Sequence, residues 1–292
     1  SEGRRVENFL PGAGFSKEGV QAIKINAYGD LMIGGSFTGL YNNAEVNRLV
    51  FLNEDGTIKS NFDIGSGPAS ASVVSLEFDQ EGSWFVGGTF SAFNGQNQGR
   101  LAKIDSHGEH DISYLSSGVG FDNPVLSLLP LPDKRTIVAG NFKKFNTKTS
   151  SKITCLLEDG SFDHSFNIGN SGANNLVKAT ALQADGKIIL GGNFTRYNEI
   201  NANRTCRIFS NGETDNSFAI GDGFNAQIYA VTIQSDQKII LAGAFTKFNG
   251  STSNAGRIVR LLPEGSKDPD FNVGSGADGI IEAVVIQPDG KI

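Results

Sequence analysis

The chain has 292 residues, 38% hydrophobic and 19% charged, which is enough apolar material for a large core under an ordinary polar surface. A net charge of −6 and a sequence pI near 5.2 leave no basic field to displace counterions from a phosphate backbone, which argues against nucleic-acid binding. No apolar run reaches membrane-spanning length and no charged-then-apolar leader opens the chain, so no membrane span is expected in this segment.

Glycine stands at 37 residues against 8 prolines, and Phe at 21 far outnumbers Tyr and Trp, which reads as many tight turns around a repeated buried aromatic. That aromatic recurs at Phe9, Phe62, Tyr114, Phe166, Phe218 and Phe271, at intervals of 53, 52, 52, 52 and 53 residues. A second mark falls after a small-residue pair at Phe37, Phe90, Phe142, Phe194 and Phe245. Two marks with one period define a repeat of about 52 residues, and the period fixes the architecture before any local motif is weighed.

In chain order, Gly3 to Phe9 aligns with Gly160 to Phe166, so the chain opens on the last strand of a repeat. Each full repeat then begins with an alternating strand, as in residues 20–25, 177–182 and 228–233, with one apolar face. A tight turn follows, clearest at Asp185-Gly186 and Asp289-Gly290, and leads into a second strand such as Lys187 to Leu190. The pair Gly191-Gly192 ends that strand and marks a bulge or a close backbone approach. A longer polar loop reaches a third strand that opens on Arg48, Arg100, Lys152, Arg204 or Arg257. A short turn and a brief fourth strand then end at the boundary aromatic.

Four antiparallel strands in about 52 residues is the size of a propeller blade; leucine-rich repeats are about half as long and helical arrays show a 3.6-residue period. The expected fold is all-β, a β-propeller of four-stranded antiparallel blades. Residues 1–292 are expected to form a single propeller segment of five full repeats plus a split sixth, an incomplete part of a ring of six blades or more, and to be part of a longer chain. Alternating strand direction puts the two short turns of each repeat on one face and the long loops and inter-blade crossings on the other, which is where a binding surface is expected.

The residues also resemble a family. Asp185 to Asn198, the Arg-x-x-Arg-Leu of Arg257 to Leu261, and the Asp-x-x-Phe of Asp268 to Phe271 are similar to the bacterial delta-60 type β-propeller repeat. The resemblance covers nearly the whole chain. It implies a propeller of large secreted or surface-attached bacterial proteins, with use in phage structural proteins as a further possibility, and no enzyme activity. Lys59 replaces the boundary Asp, His107 a turn Asp, and the repeat around Lys134 lacks the glycine pair.

Within the long loops an aromatic-Asn pair recurs: Tyr41-Asn42, Phe93-Asn94, Phe145-Asn146, Tyr197-Asn198 and Phe248-Asn249. It could form a ring of stacking platforms for sugars or peptides, but a residue required in every blade is more often turn chemistry and packing. The residues that vary are better ligand candidates: Asn43, Glu45, Gln96, Asn97, Gln98, Lys148, Thr149, Glu199, Asn201, Thr252 and Asn254. The basic residue opening strand three is expected to pair with the acid before the boundary aromatic (Asp111, Asp163, Asp215, Asp268).

Catalysis has weaker signals. His107, His110 and His164 fall at the short turns, the wrong end for a shared site. Glu18, Asp122, Asp222 and Asp278 lie in the crossings, where two carboxylates about 5 to 9.5 Å apart would suit glycoside hydrolysis. Cys155 and Cys206 sit at different offsets in their strands and point to opposite faces, so no disulfide joins them, and two cysteines with three scattered histidines form no zinc site. The expectation is a non-catalytic binding or scaffold propeller without metal or cofactor, extracellular, at the cell surface or on a virion. Its partners would be a protein or glycan, together with flanking domains or other subunits. The alternatives are a glycosidase-type hydrolase and a purely structural spacer in a large adhesin or assembly.

Overall fold

The computed structural model describes residues 9, 12–17, 19–115, 118–250 and 256–292; the expected N-terminal strand before Phe9 lies outside them. The chain divides into two compact units, Ser1–Arg135 with Phe145–Thr147 and Leu157–Ser161, and Thr136–Lys144 with Lys148–Leu156 and Phe162–Ile292. All described regular structure is β, in a series of small antiparallel sheets of the kind that form propeller blades. The first repeat joins Val20–Ile25, Leu31–Tyr41 and Ala44–Leu52; the second Val73–Phe78, Trp84–Gly88 and Leu101–Ile104. In the other unit the fourth repeat joins Val177–Leu182, Ile188–Gly192 and Thr205–Ile208, and the fifth Ile228–Ile233, Ile239–Gly243 and Ile258–Leu261. The third repeat's second and third strands, Thr136–Gly140 and Ile153–Leu156, pair with Ala139 opposite Ile153.

The fourth strand is shorter than the sequence suggests. It is a single bridge in each repeat, Leu52 to Ile58, Ile104 to His110, Leu156 to Phe162, Ile208 to Thr214 and Leu261 to Lys267. In the last four repeats a physical reason lies one residue further on; the first has Lys59 there and shows the same single bridge. The side chain of Asp111, Asp163, Asp215 or Asp268 accepts the backbone N–H two residues ahead at 2.8–3.0 Å, and this Asx turn takes the backbone out of the ladder.

The glycine pair acts through close approach, and the bulge sits opposite it, in the first strand, between Val20 and Ala22, Val73 and Ser75, Val177 and Ala179, and Ile228 and Ala230. A Cβ on Gly192 would lie 2.3 Å from the Leu176 carbonyl oxygen, and one on Gly35 would lie 1.9 Å from that of Gly19. The first glycine of the pair instead receives side chains of the following repeat: a Cβ on Gly191 would meet Ile228 and Val231 at 2.7 Å. That position is already Ala139 in the third repeat and Ala242 in the fifth, whereas the second is glycine in all five.

Two aromatics anchor each repeat. Phe37, Phe90, Phe142, Phe194 and Phe245 are at most 1% exposed, and the boundary rings Phe62, Tyr114, Phe166 and Phe218 are buried beside them. The first strand of the first repeat departs from this pattern: Val20 is 43% exposed, whereas its counterparts Val73, Val125, Val177 and Ile228 are fully buried. Residues 280–292 repeat the pattern of a first strand and turn but form no strand, and Ile280 and Val285 are exposed.

Candidate functional site

The aromatic-Asn pair is scaffold. Tyr41, Phe93, Phe145, Tyr197 and Phe248 are all buried, so no ring is presented for stacking. The Tyr41 and Tyr197 hydroxyls donate to the Gly56 and Gly212 carbonyls at 2.7 and 2.9 Å, and burial raises both phenol pKa values. Each asparagine adopts a left-handed backbone, with φ between 45° and 53°. Its side-chain oxygen accepts a backbone N–H from the crossing segment: Gly14 for Asn42, Gly67 for Asn94, Gly120 for Asn146, Gly172 for Asn198 and Asp222 for Asn249, at 2.7–3.0 Å. The asparagine N–H returns the bond to a glycine carbonyl in that segment, for example Gly172 for Asn198 at 2.9 Å. This two-point clamp fixes the base of every long loop.

Of the varying loop residues, Asn43, Glu45, Gln96, Asn97, Lys148, Thr149, Glu199 and Asn201 are exposed. Thr252 and Asn254, with the crossing acid Glu18, lie outside the described residues. Gln98 is a correction. It is 5% exposed, its amide donates to the Tyr114 carbonyl at 3.0 Å, and its oxygen lies 2.7 Å from His110 Nε2, so it is structural. Burial lowers the pKa of His110. Thr149 and Glu199 meet around a groove of about 280 Å³ with Lys143, Ser171, Asn174 and Arg196. Glu199 there accepts from the Ser171 hydroxyl at 2.7 Å and lies 3.9 Å from Arg196.

The expected pairing of the strand-three cation with the boundary acid is also corrected. Arg48, Arg100, Lys152, Arg204 and Arg257 open strand three with φ between 61° and 76°, a region L-residues seldom occupy. Four of their side chains hold the preceding loop by its carbonyls: Arg204 donates to Asn193 and Arg257 to Ala244, each at 2.8 Å, Lys152 to Asn141 at 3.0 Å and Arg100 to Phe90 at 3.2 Å, whereas Arg48 donates to the Ala71 carbonyl of the crossing that follows. In the fourth and fifth repeats the boundary acids pair instead with residues three positions further along the strand, Arg207 to Asp215 and Arg260 to Asp268, both at 2.7 Å. Lys187 and Lys238 add second cations at 3.3 and 3.1 Å. Burial pushes the Asp215 carboxyl up, but hydrogen bonds from Ser217 and the Arg207 charge outweigh it and hold the pKa at about 2. No sequence signal marks the left-handed turn; the offset of three was visible in Arg207 and Arg260, both one turn short of an acid.

The crossing acids Asp122, Asp222 and Asp278 are exposed. Cys155 and Cys206 are free and buried, and burial raises the Cys206 thiol pKa strongly. Among the described residues no group of three His, Cys, Asp or Glu side chains is placed to hold a metal ion, and no described helix is long and apolar enough to cross a membrane. A larger cleft, about 770 Å³, opens at the short turns of the first two repeats rather than at the long loops. Phe51, Phe78 and Trp84 line its base, and Tyr28, 84% exposed, stands at its rim beside Asn61, Gln80 and His107.

Residues 82–111, 131–166, 183–218 and 234–271 match the family model described as domain of unknown function (DUF5122) beta-propeller. These four stretches are similar to the DUF5122 β-propeller repeat. Three of the four matched stretches end on the boundary aromatics Phe166, Phe218 and Phe271, so the DUF5122 unit spans the glycine pair, the long loop and the buried ion pair. Among solved structures, the extracellular domain of the putative hybrid two-component system BT4673 from B. thetaiotaomicron is similar at 11% identity and a TM-score of 0.54, over 95% of this chain and 37% of that one. A catalytically inactive virginiamycin B lyase from Staphylococcus aureus, with quinupristin, is similar at 13% identity and a TM-score of 0.49, over 87% and 72% of the two chains. A protein of unknown function from Bacteroides caccae gives 12% identity and a TM-score of 0.46, over 85% and 79%. At these identities the likeness is one of fold alone. No curated protein matches the chain.

Proposed function

We propose that this chain is a non-catalytic binding propeller of a secreted, cell-surface or virion-associated protein, and that its long loops present polar groups to a protein or glycan. The observation that carries the reading is the groove in which the varying residues Thr149 and Glu199 meet Lys143, Lys152 and Arg196. The residues common to all repeats are engaged inside the fold by the asparagine clamp and the carbonyl-holding cations, so what differs between blades is free to set specificity. Lys152 is held by the Asn141 carbonyl, and the two remaining cations, Lys143 and Arg196, outnumber the one carboxylate, Glu199, so the groove suits an acidic glycan or an acidic protein segment. The compartment rests on the resemblance to the delta-60 type repeat.

An array of sulfated and uronic-acid glycans, followed by titration of acidic peptides, tests the reading. Binding is expected to fall about tenfold in Arg196→Ala and Lys143→Ala. Full binding by both variants would move the partner surface elsewhere. Recovery of the native protein only in the cytosolic fraction of its source cells would overturn the compartment.

A further inference from the structure

The cleft at the short turns of the first two repeats has Phe51 at its base, where the fourth repeat carries Arg207. In the fourth repeat the corresponding space is filled by Arg207. Its guanidinium lies over the boundary ring of Phe218 at 4.8 Å and donates to Gln183 at 3.3 Å and to the Pro263 carbonyl of the next repeat at 2.6 Å. Alignment places Phe51 at the Arg207 position, Asn26 at Gln183 and Ser106 at Pro263. Phe51 turns instead onto Phe62 and Trp84, with centroids 4.3 and 5.3 Å away, and cannot bridge to the neighbouring turn. Asn26 and Ser106 therefore line open space.

The charges around this space select what can enter it. Lys59 occupies the position of the Asp215 carboxylate and holds the Asp30 carboxylate at the base, so that anion is already engaged against a cationic ligand. Asp79 and Glu81 on the opposite wall oppose an anionic one. Each charge is also already matched within the protein, Asp30 by Lys59, Asp79 by Lys103 at 3.5 Å and Glu81 by Lys134 at 2.7 Å. The groups left to meet a ligand are amides, a hydroxyl, the His107 imidazole, the exposed Tyr28 ring and aromatic edges. We infer that this cleft binds a neutral oligosaccharide, whose hydroxyls meet Asn61, Gln80 and Ser106 and whose apolar sugar face lies against Tyr28. A volume of about 770 Å³ falls within the range of small-molecule sites.

Trp84, the single tryptophan of the chain, is 2% exposed and packs against Phe51 and Phe78 at the base of the cleft, so its emission is read beside isothermal titration calorimetry, which registers binding whether or not the ring responds. The full chain is titrated to about 10 mM with cellotriose, maltotriose, chitotriose and mannotriose, with an arginine-containing tripeptide and a sulfated trisaccharide as charged probes. At least one neutral trisaccharide should show saturable binding. Tyr28→Ala, at an exposed position that leaves the core untouched, should weaken it about tenfold. Phe51→Arg, which restores the residue found in the fourth and fifth repeats, should abolish it. The inference is overturned by silence with every neutral trisaccharide, by a response confined to the charged probes, or by full binding in both variants. Arg196→Ala and Lys143→Ala should not alter this signal, so failure here is separate from failure at the loop groove.

Discussion

The first and fourth repeats align through their second and third strands, yet they hold their edges together with opposite polarity. The fourth sets Lys187 against Asp215 at 3.3 Å, and the first sets Asp30 against Lys59. In these two repeats the same two positions carry opposite charges with the sides exchanged. The neighbouring position behaves differently. Arg207 joins Asp215, Gln183, Ser217 and Pro263, whereas Phe51 packs against aromatic rings, and the two solutions leave different surfaces at the turn. The charge exchange leaves the ion pair in place, whereas the first repeat, with Phe51 in place of the guanidinium, has a cleft at its turn.

The largest effect should come where the two repeats agree. The second glycine of the pair faces backbone in both, the carbonyls of Gly19 and Leu176, and a main-chain oxygen cannot swing aside as a side chain can. Gly35→Ala and Gly192→Ala should each cost about 3 kcal/mol in urea denaturation, and Gly191→Ala about 1 kcal/mol, because its neighbours are side-chain methyl groups. Equal costs at Gly191 and Gly192 would break the distinction between the two positions.

Next comes the exchanged residue. Arg207→Phe imports the first repeat's solution into the fourth and leaves Asp215, which is 5% exposed, with Lys187 as its nearest remaining cation. A loss of about 2–3 kcal/mol is expected, at the low end for a broken buried pair because that lysine remains. The same carboxylate makes the fourth repeat acid-sensitive. Its folded pKa of about 2 is depressed below the ordinary Asp value near 3.9, so its stabilisation is complete above about pH 4 and disappears as pH falls toward 2. In Arg207→Phe the folded pKa rises and the melting temperature should depend less on pH across that window.

The charge exchange itself predicts a smaller number. Asp30→Lys and Lys59→Asp should each destabilise the first repeat, and the double variant, which reproduces the fourth repeat's polarity, should recover about 1 kcal/mol of coupling in a double-mutant cycle. Additive losses would show that polarity is fixed by the surroundings after all.

Much of this contrast could be read from the sequence and some could not. The period of Phe9 to Phe271 showed the blades, and a rule that common residues build the scaffold placed Tyr197 and Asn198 inside it, as their burial and clamp bear out. The ion pairs were misassigned because pattern alone pairs residues by prominence, while geometry pairs them by register: Arg204 opens the strand with a left-handed turn that aims it at a loop carbonyl, and Arg207 faces the acid. Gln98 was taken for a loop-tip residue because polarity does not reveal burial; its partners, the Tyr114 carbonyl and His110, lie 16 and 12 residues away. The cleft was invisible for the same reason, since Phe51 reads as a core residue and only the empty reach of an arginine makes it a feature.

The smallest test returns to a feature the two repeats share. Tyr41 and Tyr197 each donate one hydroxyl to a turn glycine, Gly56 or Gly212, from inside the core, and three other repeats hold Phe at the same place. A phenylalanine therefore fits the space, and only the hydrogen bond and the freed carbonyl are at stake. Tyr41→Phe and Tyr197→Phe should each cost about 1 kcal/mol, and by the same amount, because the bonds are alike at 2.7 and 2.9 Å. A much larger loss in the first repeat than in the fourth would mean that the turn at Gly56 depends on its tyrosine as the turn at Gly212 does not. The base of the cleft, whose Lys59 follows Gly56 by three residues, would then be held by that hydroxyl as well as by its ion pair.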